Sequence, residues 1–219
     1  MAIAVALATQ ERRIRRIRNV AVFALFATLI GAYLLAFGPP KGFTARPGEL
    51  PSGQHAATGP LGVPAAGNWA DDGAVGDGVS AFDDGHAAVA NLEPALLGAL
   101  RSAATDAADA GIAVAVTSGW RSAEYQDRLL QDAVAQYGSE AEAARWVATA
   151  ATSAHVHGGA VDVGPHAAIE WLSFSGAWYG LCQIYANEPW HFEYLPDAAT
   201  YGCPAMYPDP TWDPRLNPG

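Results

Sequence analysis

The residues best suited to chemistry fall in two short stretches, SAHVHGGAVD from Ser153 to Asp162 and EPWH from Glu188 to His191. Together they offer imidazoles and carboxylates, the mixed nitrogen and oxygen set that zinc accepts. A catalytic zinc keeps three protein ligands and leaves its fourth place to water. The expected ligands are His155, Asp162 and His191, with Glu188 as the general base that acts on that water. His157 and His166 are the rival ligands; His157 stands two residues from His155, so both would face one side of an extended segment.

Gly158 and Gly159 lie between His155 and Asp162. A glycine pair is costly inside a helix, so the spacing predicts a loop running into a strand over 160–163. The glycines would let the backbone pass close to the metal. Glu188 and His191 would point to opposite faces of a regular strand. Pro189 between them lacks a ladder donor, which predicts a distortion or a strand start there.

These stretches resemble the VanY-type D-alanyl-D-alanine carboxypeptidases, zinc peptidases of the bacterial cell wall. Ser153, His155, Gly158, Ala160 and Asp162 match the family pattern Ser-x-His-x-x-Gly-x-Ala-x-Asp, and Glu188, Trp190 and His191 match Glu-x-Trp-His. Ser118, Gly119, Trp120, Arg121 and Ser122 match Ser-Gly-Tyr-Arg-Ser, with Trp in place of Tyr. The resemblance covers roughly Ala90 to Tyr194 and ranks His155 above His157 as ligand. It implies Zn2+ as cofactor and release of C-terminal D-alanine from peptidoglycan stem peptides. It also implies Arg121 beside the metal, stabilising substrate or oxyanion, and substrate contacts from Ser153, Gln126 and Ser122; Trp190, between base and ligand, would line the cleft. Relatives with this zinc set act as dipeptidases, LD-carboxypeptidases or endopeptidases on wall cross-links. Hedgehog signalling domains resemble the same fold, so a non-catalytic zinc-binding wall module is the alternative of a different class. Glu188 beside His191 argues for catalysis, because a structural zinc has no use for a nearby base. The implied fold is α+β, a small, mainly antiparallel sheet with packed helices.

Elements able to position these residues can be read on either side of them. Asn91–Ala110 has a capping residue, an apolar face of leucines and a glycine stop at Gly111. A short buried strand over 112–116 would deliver TSGWRS at its end. Ala123–Tyr137 is a second helix, stopped by Gly138, and Ser139 with Glu142 makes a capping box for a third running to about Ala150. A short helix over 167–174 and a strand over 190–195 follow. Cys182 and Cys203, 21 apart, are either a disulfide or two buried thiols.

Charge divides the chain. Arg12, Arg13, Arg15, Arg16 and Arg18 face only Glu11 before residue 20, so the totals of 12 basic and 22 acidic residues leave 7 and 21 for the rest. Such an acidic body excludes nucleic acid as partner. Residues 20–37 form an uncharged apolar run, which as a helix would span about 27 Å, near the hydrocarbon thickness of a bilayer. The arginines before it should stay cytoplasmic. The alternative is a cleaved signal peptide, for which the run is long. The chain therefore divides into a basic cytoplasmic start (1–19), a transmembrane anchor (20–37), a Pro/Gly-rich flexible linker (38–70), a zinc peptidase domain (71–203) and an irregular tail (204–219). The expected location is the bacterial cell membrane, single-pass, with a monomeric extracytoplasmic domain.

Overall fold

The structure is a computed structural model that describes residues 69–216. The expected anchor over 20–37 and all but the end of the linker lie outside the described residues. In chain order the elements are β1 (Val79–Ser80), α1 (Ala87–Ala90), α2 (Pro94–Asp109), β2 (Ala115–Ser118), α3 (Ala123–Tyr137), α4 (Glu140–Ala143), β3 (Ala160–Gly164), α5 (His166–Ser175), β4 (Leu181–Gln183), β5 (His191–Tyr194) and α6 (Ala198–Tyr201). Two 3-10 turns cover Gly176–Tyr179 and Pro210–Trp212. Among the described residues the strands form one antiparallel sheet in the order β1-β2-β3-β5-β4. This is the expected α+β architecture. No helix of the described residues is long and apolar enough to cross a membrane.

Strand alternation divides the labour of the sheet. Val116 of β2, Val161 and Val163 of β3 and Phe192 of β5 enter the main core, where Leu96 and Leu100 of α2 and Leu172 of α5 meet them. Asp162, His191 and Glu193 occupy the alternate positions and leave by the opposite face. A second cluster joins Tyr125, Leu129 and Ala133 of α3 to Ala143 and Val147, with Trp69 stacked on Tyr125 at 5.7 Å. It forms a wall beside that second face.

Several boundaries differ from expectation. Asn91 does not cap α2; it closes α1, and α2 starts at Pro94, whose missing N–H suits a first helical position. At the far end Gly111 N–H bonds Ala108 O and Ile112 N–H bonds Ala107 O, which commits Ile112 to the helix stop and delays β2 to Ala115. The expected third helix ends at Ala143 rather than near Ala150. Side chains claim the carbonyls beyond: Asn187 Nδ2 donates to Arg145 O and Gln126 Nε2 to Ala148 O, both at 2.8 Å. α3 runs as expected, with Ser122 Oγ accepting from Tyr125 N–H at its start and Gly138 left-handed at its end.

Cys182 and Cys203 are bonded, with Cα atoms 5.5 Å apart. Beyond them the tail is mostly irregular but docked, so the folded domain continues past residue 203. Tyr207 pairs with Tyr185, its N–H donating to Ile184 O at 2.9 Å and its carbonyl accepting from Ala186 N–H at 2.8 Å. Replacing both cysteines by serine should remove about 3 kcal/mol on the chain-entropy view and lower Tm by roughly 6–12 °C. Coincident melting curves for the pair of proteins would contradict this.

Candidate metal centre

Asp162 and His191 are direct partners across β3 and β5, and their side chains rise side by side. His155 arrives from the turn-rich loop before β3. Gly158 in that loop has φ +71, and a Cβ there would lie 2.4 Å from Asn91 O. Its own carbonyl accepts from Glu93 N–H at 2.9 Å. This glycine thus serves a close approach to the chain just ahead of α2, not the passage beside a metal expected of it. The His155 carbonyl accepts from Arg121 N–H at 3.2 Å and Gly158 N–H at 3.0 Å, which ties the loop to the segment after β2. Glu188 is brought to the same side by a turn: His191 N–H donates to Glu188 O at 3.0 Å, and β5 starts only at His191. The strand start expected around Pro189 is found there.

His155 Nε2, His191 Nδ1 and Asp162 Oδ1 converge. Their separations are 3.2 Å between the two nitrogens, 3.2 Å from His191 to Asp162 and 3.4 Å from His155 to Asp162. A tetrahedral zinc with arms of about 2.0–2.1 Å has edges of roughly 3.3–3.4 Å, so the three donors already match one face of such a site. Among the described residues these three form the His/Cys/Asp/Glu group whose ligand atoms all lie within 4.8 Å of one another, and all are buried. The rivals stand elsewhere: His157 is exposed, and His166 is exposed beside Glu170 at 3.6 Å.

The outer nitrogens fix the tautomers. His155 Nδ1–H donates to Gly119 O at 2.8 Å, and His191 Nε2–H faces Glu193 Oε1 at 3.4 Å. Held so, each ring aims its other nitrogen inward, where its lone pair would serve a cation. Burial and then the Arg121 charge hold His155 below its ordinary pKa, so it is neutral. Asp162 is also buried, but His155, His191 and Arg121 outweigh that and keep it ionised well below the usual range. For His191 burial opposes charge, yet hydrogen bonds to Asp162 and Glu193 raise its pKa to about 10. Without a metal this ring keeps a proton that a cation would displace.

A cleft of about 100 Å³ opens onto this cluster, lined also by Arg121, Ser153, Glu188 and Trp190. Glu188 is only 7% exposed, and its Oε1 is buried with no hydrogen-bond partner. Burial lifts its pKa to about 7, with Asp162 and Asp209 adding to the rise and His191 and Arg121 opposing it. Arg121 is fully oriented: Nη2 donates to Asp162 Oδ2 at 3.0 Å, Nε to Ser118 Oγ at 2.8 Å and Nη1 to Gln126 Oε1 at 3.1 Å. Gln126 thus holds Arg121 with one end of its amide and Ala148 O with the other. Ser122 is the α3 cap and is not among the residues lining the cleft. The expectations passed over Glu193, the partner of His191, and Arg215, which grips Glu193 from the tail at 2.6 Å. The spacing His-x-Glu on a strand places both on one face and was the available signal for the first; the second depends on how the tail returns.

Residues 90–179 match the family model VanY, described as D-alanyl-D-alanine carboxypeptidase. That span holds Arg121, His155 and Asp162; Glu188 and His191 lie beyond it. A D-alanyl-D-alanine carboxypeptidase of Enterococcus faecalis (strain ATCC 700802 / V583) is 34% identical over 116 residues, or 41% of this chain and 43% of that relative. The chain thus spans less than half the length of the curated relative it matches. Similar solved structures include a vancomycin resistance D,D-pentapeptidase VanY from a VanB-type cassette in complex with Zn(II), 27% identical over 50% of this chain and 76% of that one, TM-score 0.47. Another is VanYB in complex with D-Alanine-D-Alanine, 28% identical over 50% and 75%, TM-score 0.47.

Proposed function

We propose that this chain, whose residues 90–179 match the VanY family model, is a zinc peptidase that releases C-terminal D-alanine from peptidoglycan stem peptides. The observation that carries the reading is a buried carboxylate, Glu188, with its Oε1 lacking a hydrogen-bond partner, in the same cleft as three convergent ligand atoms. His155, Asp162 and His191 would hold the ion. Zinc supplies Lewis acidity, which polarises a carbonyl and makes water nucleophilic near neutral pH.

The protein's own groups do the rest. Glu188, buried in the same cleft with its Oε1 unpaired, is placed to take a proton from the attacking water and return it to the departing amine as the C–N bond breaks. Arg121 uses three of its five N–H groups on Asp162, Ser118 and Gln126. The remaining two are available to an oxygen that gains negative charge at the peptide carbonyl or to a terminal carboxylate. Ser153 and Trp190 line the approach. The bridged cysteines suit an oxidising compartment, which supports an extracytoplasmic domain.

The test is incubation of the full zinc-loaded chain with a stem pentapeptide ending in D-Ala-D-Ala, with free D-Ala-D-Ala, with a tetrapeptide and with a cross-linked dimer. Free D-alanine from the pentapeptide is expected. Turnover confined to the dipeptide, the tetrapeptide or the cross-link would reassign the enzyme to dipeptidase, LD-carboxypeptidase or endopeptidase. No turnover of any of the four would leave a zinc-binding wall module.

A further inference from the structure

The tail reaches the back of the metal centre. Arg215 Nη1 and Nη2 donate to the two oxygens of Glu193, at 2.6 and 3.2 Å, and Glu193 Oε1 faces His191 Nε2 at 3.4 Å. The same guanidinium is held by Asp213, whose Oδ1 accepts from Arg215 Nε at 3.0 Å. Asp213 is completely buried and accepts from Tyr185 Oη–H at 2.9 Å. The Tyr185 ring lies against His191, centroids 5.2 Å apart. A chain of polar contacts therefore starts in the tail and reaches His191 from two sides, through the Glu193 carboxylate and through the tyrosine ring.

We propose that Arg215 is a positioning residue for the metal centre: by gripping both oxygens of Glu193 it fixes the Nε2–H of His191 and so aims Nδ1 at the ion. This rests on the reading that His155, Asp162 and His191 hold zinc. The physical case lies in the contrast of environments. Arg215 is half-exposed, and an exposed ion pair contributes little to stability. Glu193, by contrast, is buried directly behind a ligating ring, where a carboxylate orients the imidazole and makes it a better donor. Losing such a partner typically weakens metal binding 10–100-fold. Arginine suits the task because its fork meets both carboxylate oxygens at once.

The experiment measures zinc affinity of the full chain by competition with a chromophoric chelator, for wild type, Glu193→Gln, Arg215→Gln and the double variant. Each single change should weaken zinc about 10–100-fold, and the double should bind no worse than Glu193→Gln alone, since the arginine acts only through that carboxylate. The visible bands of the cobalt-loaded protein should shift in the same variants. Wild type that binds no zinc would overturn the metal reading and this inference with it. Wild-type affinity retained in Arg215→Gln, or losses that add in the double variant, would overturn the inference alone. Should Arg215→Gln not fold, Glu193→Gln decides, because it leaves Asp213 its partner. Weaker zinc with an unchanged metal-free Tm supports the role, and unchanged affinity removes it.

Discussion

Glu188→Gln is expected to keep zinc, to lose turnover by a factor of about 10²–10⁴, and to be more stable than wild type when metal-free above pH 7. Zinc is kept because the convergent ligand atoms belong to His155, Asp162 and His191. Turnover is lost because an amide cannot take the proton. The stability gain follows from burial. The folded pKa of Glu188, about 7, lies above its ordinary 4.5, so the wild-type fold is favoured below 4.5 and loses that advantage as pH rises through 7. Glutamine has no charge to bury. The two proteins should therefore melt together near pH 4 and separate by on the order of 2–3 kcal/mol at pH 8. Chelator-treated protein, melted at several pH values, measures this directly. A variant with near-normal turnover, or one no more stable at pH 8, would remove Glu188 from the role of buried base.

Zinc removal is expected to abolish turnover and to lower Tm by about 8–16 °C relative to protein held with free zinc 1,000-fold above Kd. Binding at that excess contributes about 4 kcal/mol, and each kcal/mol moves Tm by about 2–4 °C for a domain near 150 residues. Metal-free, the cluster packs an ionised Asp162, a neutral His155 and a proton-bearing His191 within 3.2–3.4 Å of one another. A cation replaces that proton and gives all three a common partner, so affinity should fall with acidity. Differential scanning with and without chelator, at pH 6 and pH 8, checks both statements. Equal Tm values would show that these donors hold no ion.

The site was more legible in the sequence than the fold around it. Histidine, aspartate and glutamate are chemically conspicuous, and the local punctuation by Gly158, Gly159 and Pro189 marked the backbone that carries them. Boundaries depended on distant partners. Nothing local says that the Asn187 and Gln126 side chains take the carbonyls of Arg145 and Ala148, yet those bonds replace the second half of an expected helix. β1 and β4, two and three residues long, are too short for alternation to register. Ser122 and Gln126 were legible as residues of the site region, but not as supports, one capping α3 and the other holding Arg121. Glu193 and Arg215 stayed hidden because their meaning comes from a pairing between a strand and a tail.

Val161 and Val163 of β3 and Phe192 of β5 point into the core, while Asp162, His191 and Glu193 at the alternate positions point to the other face. A one-residue slip between these strands would send the liganding side chains into oil and the valines into the cleft. Only the native register therefore leaves Asp162 and His191 beside His155, where the three would share a cation.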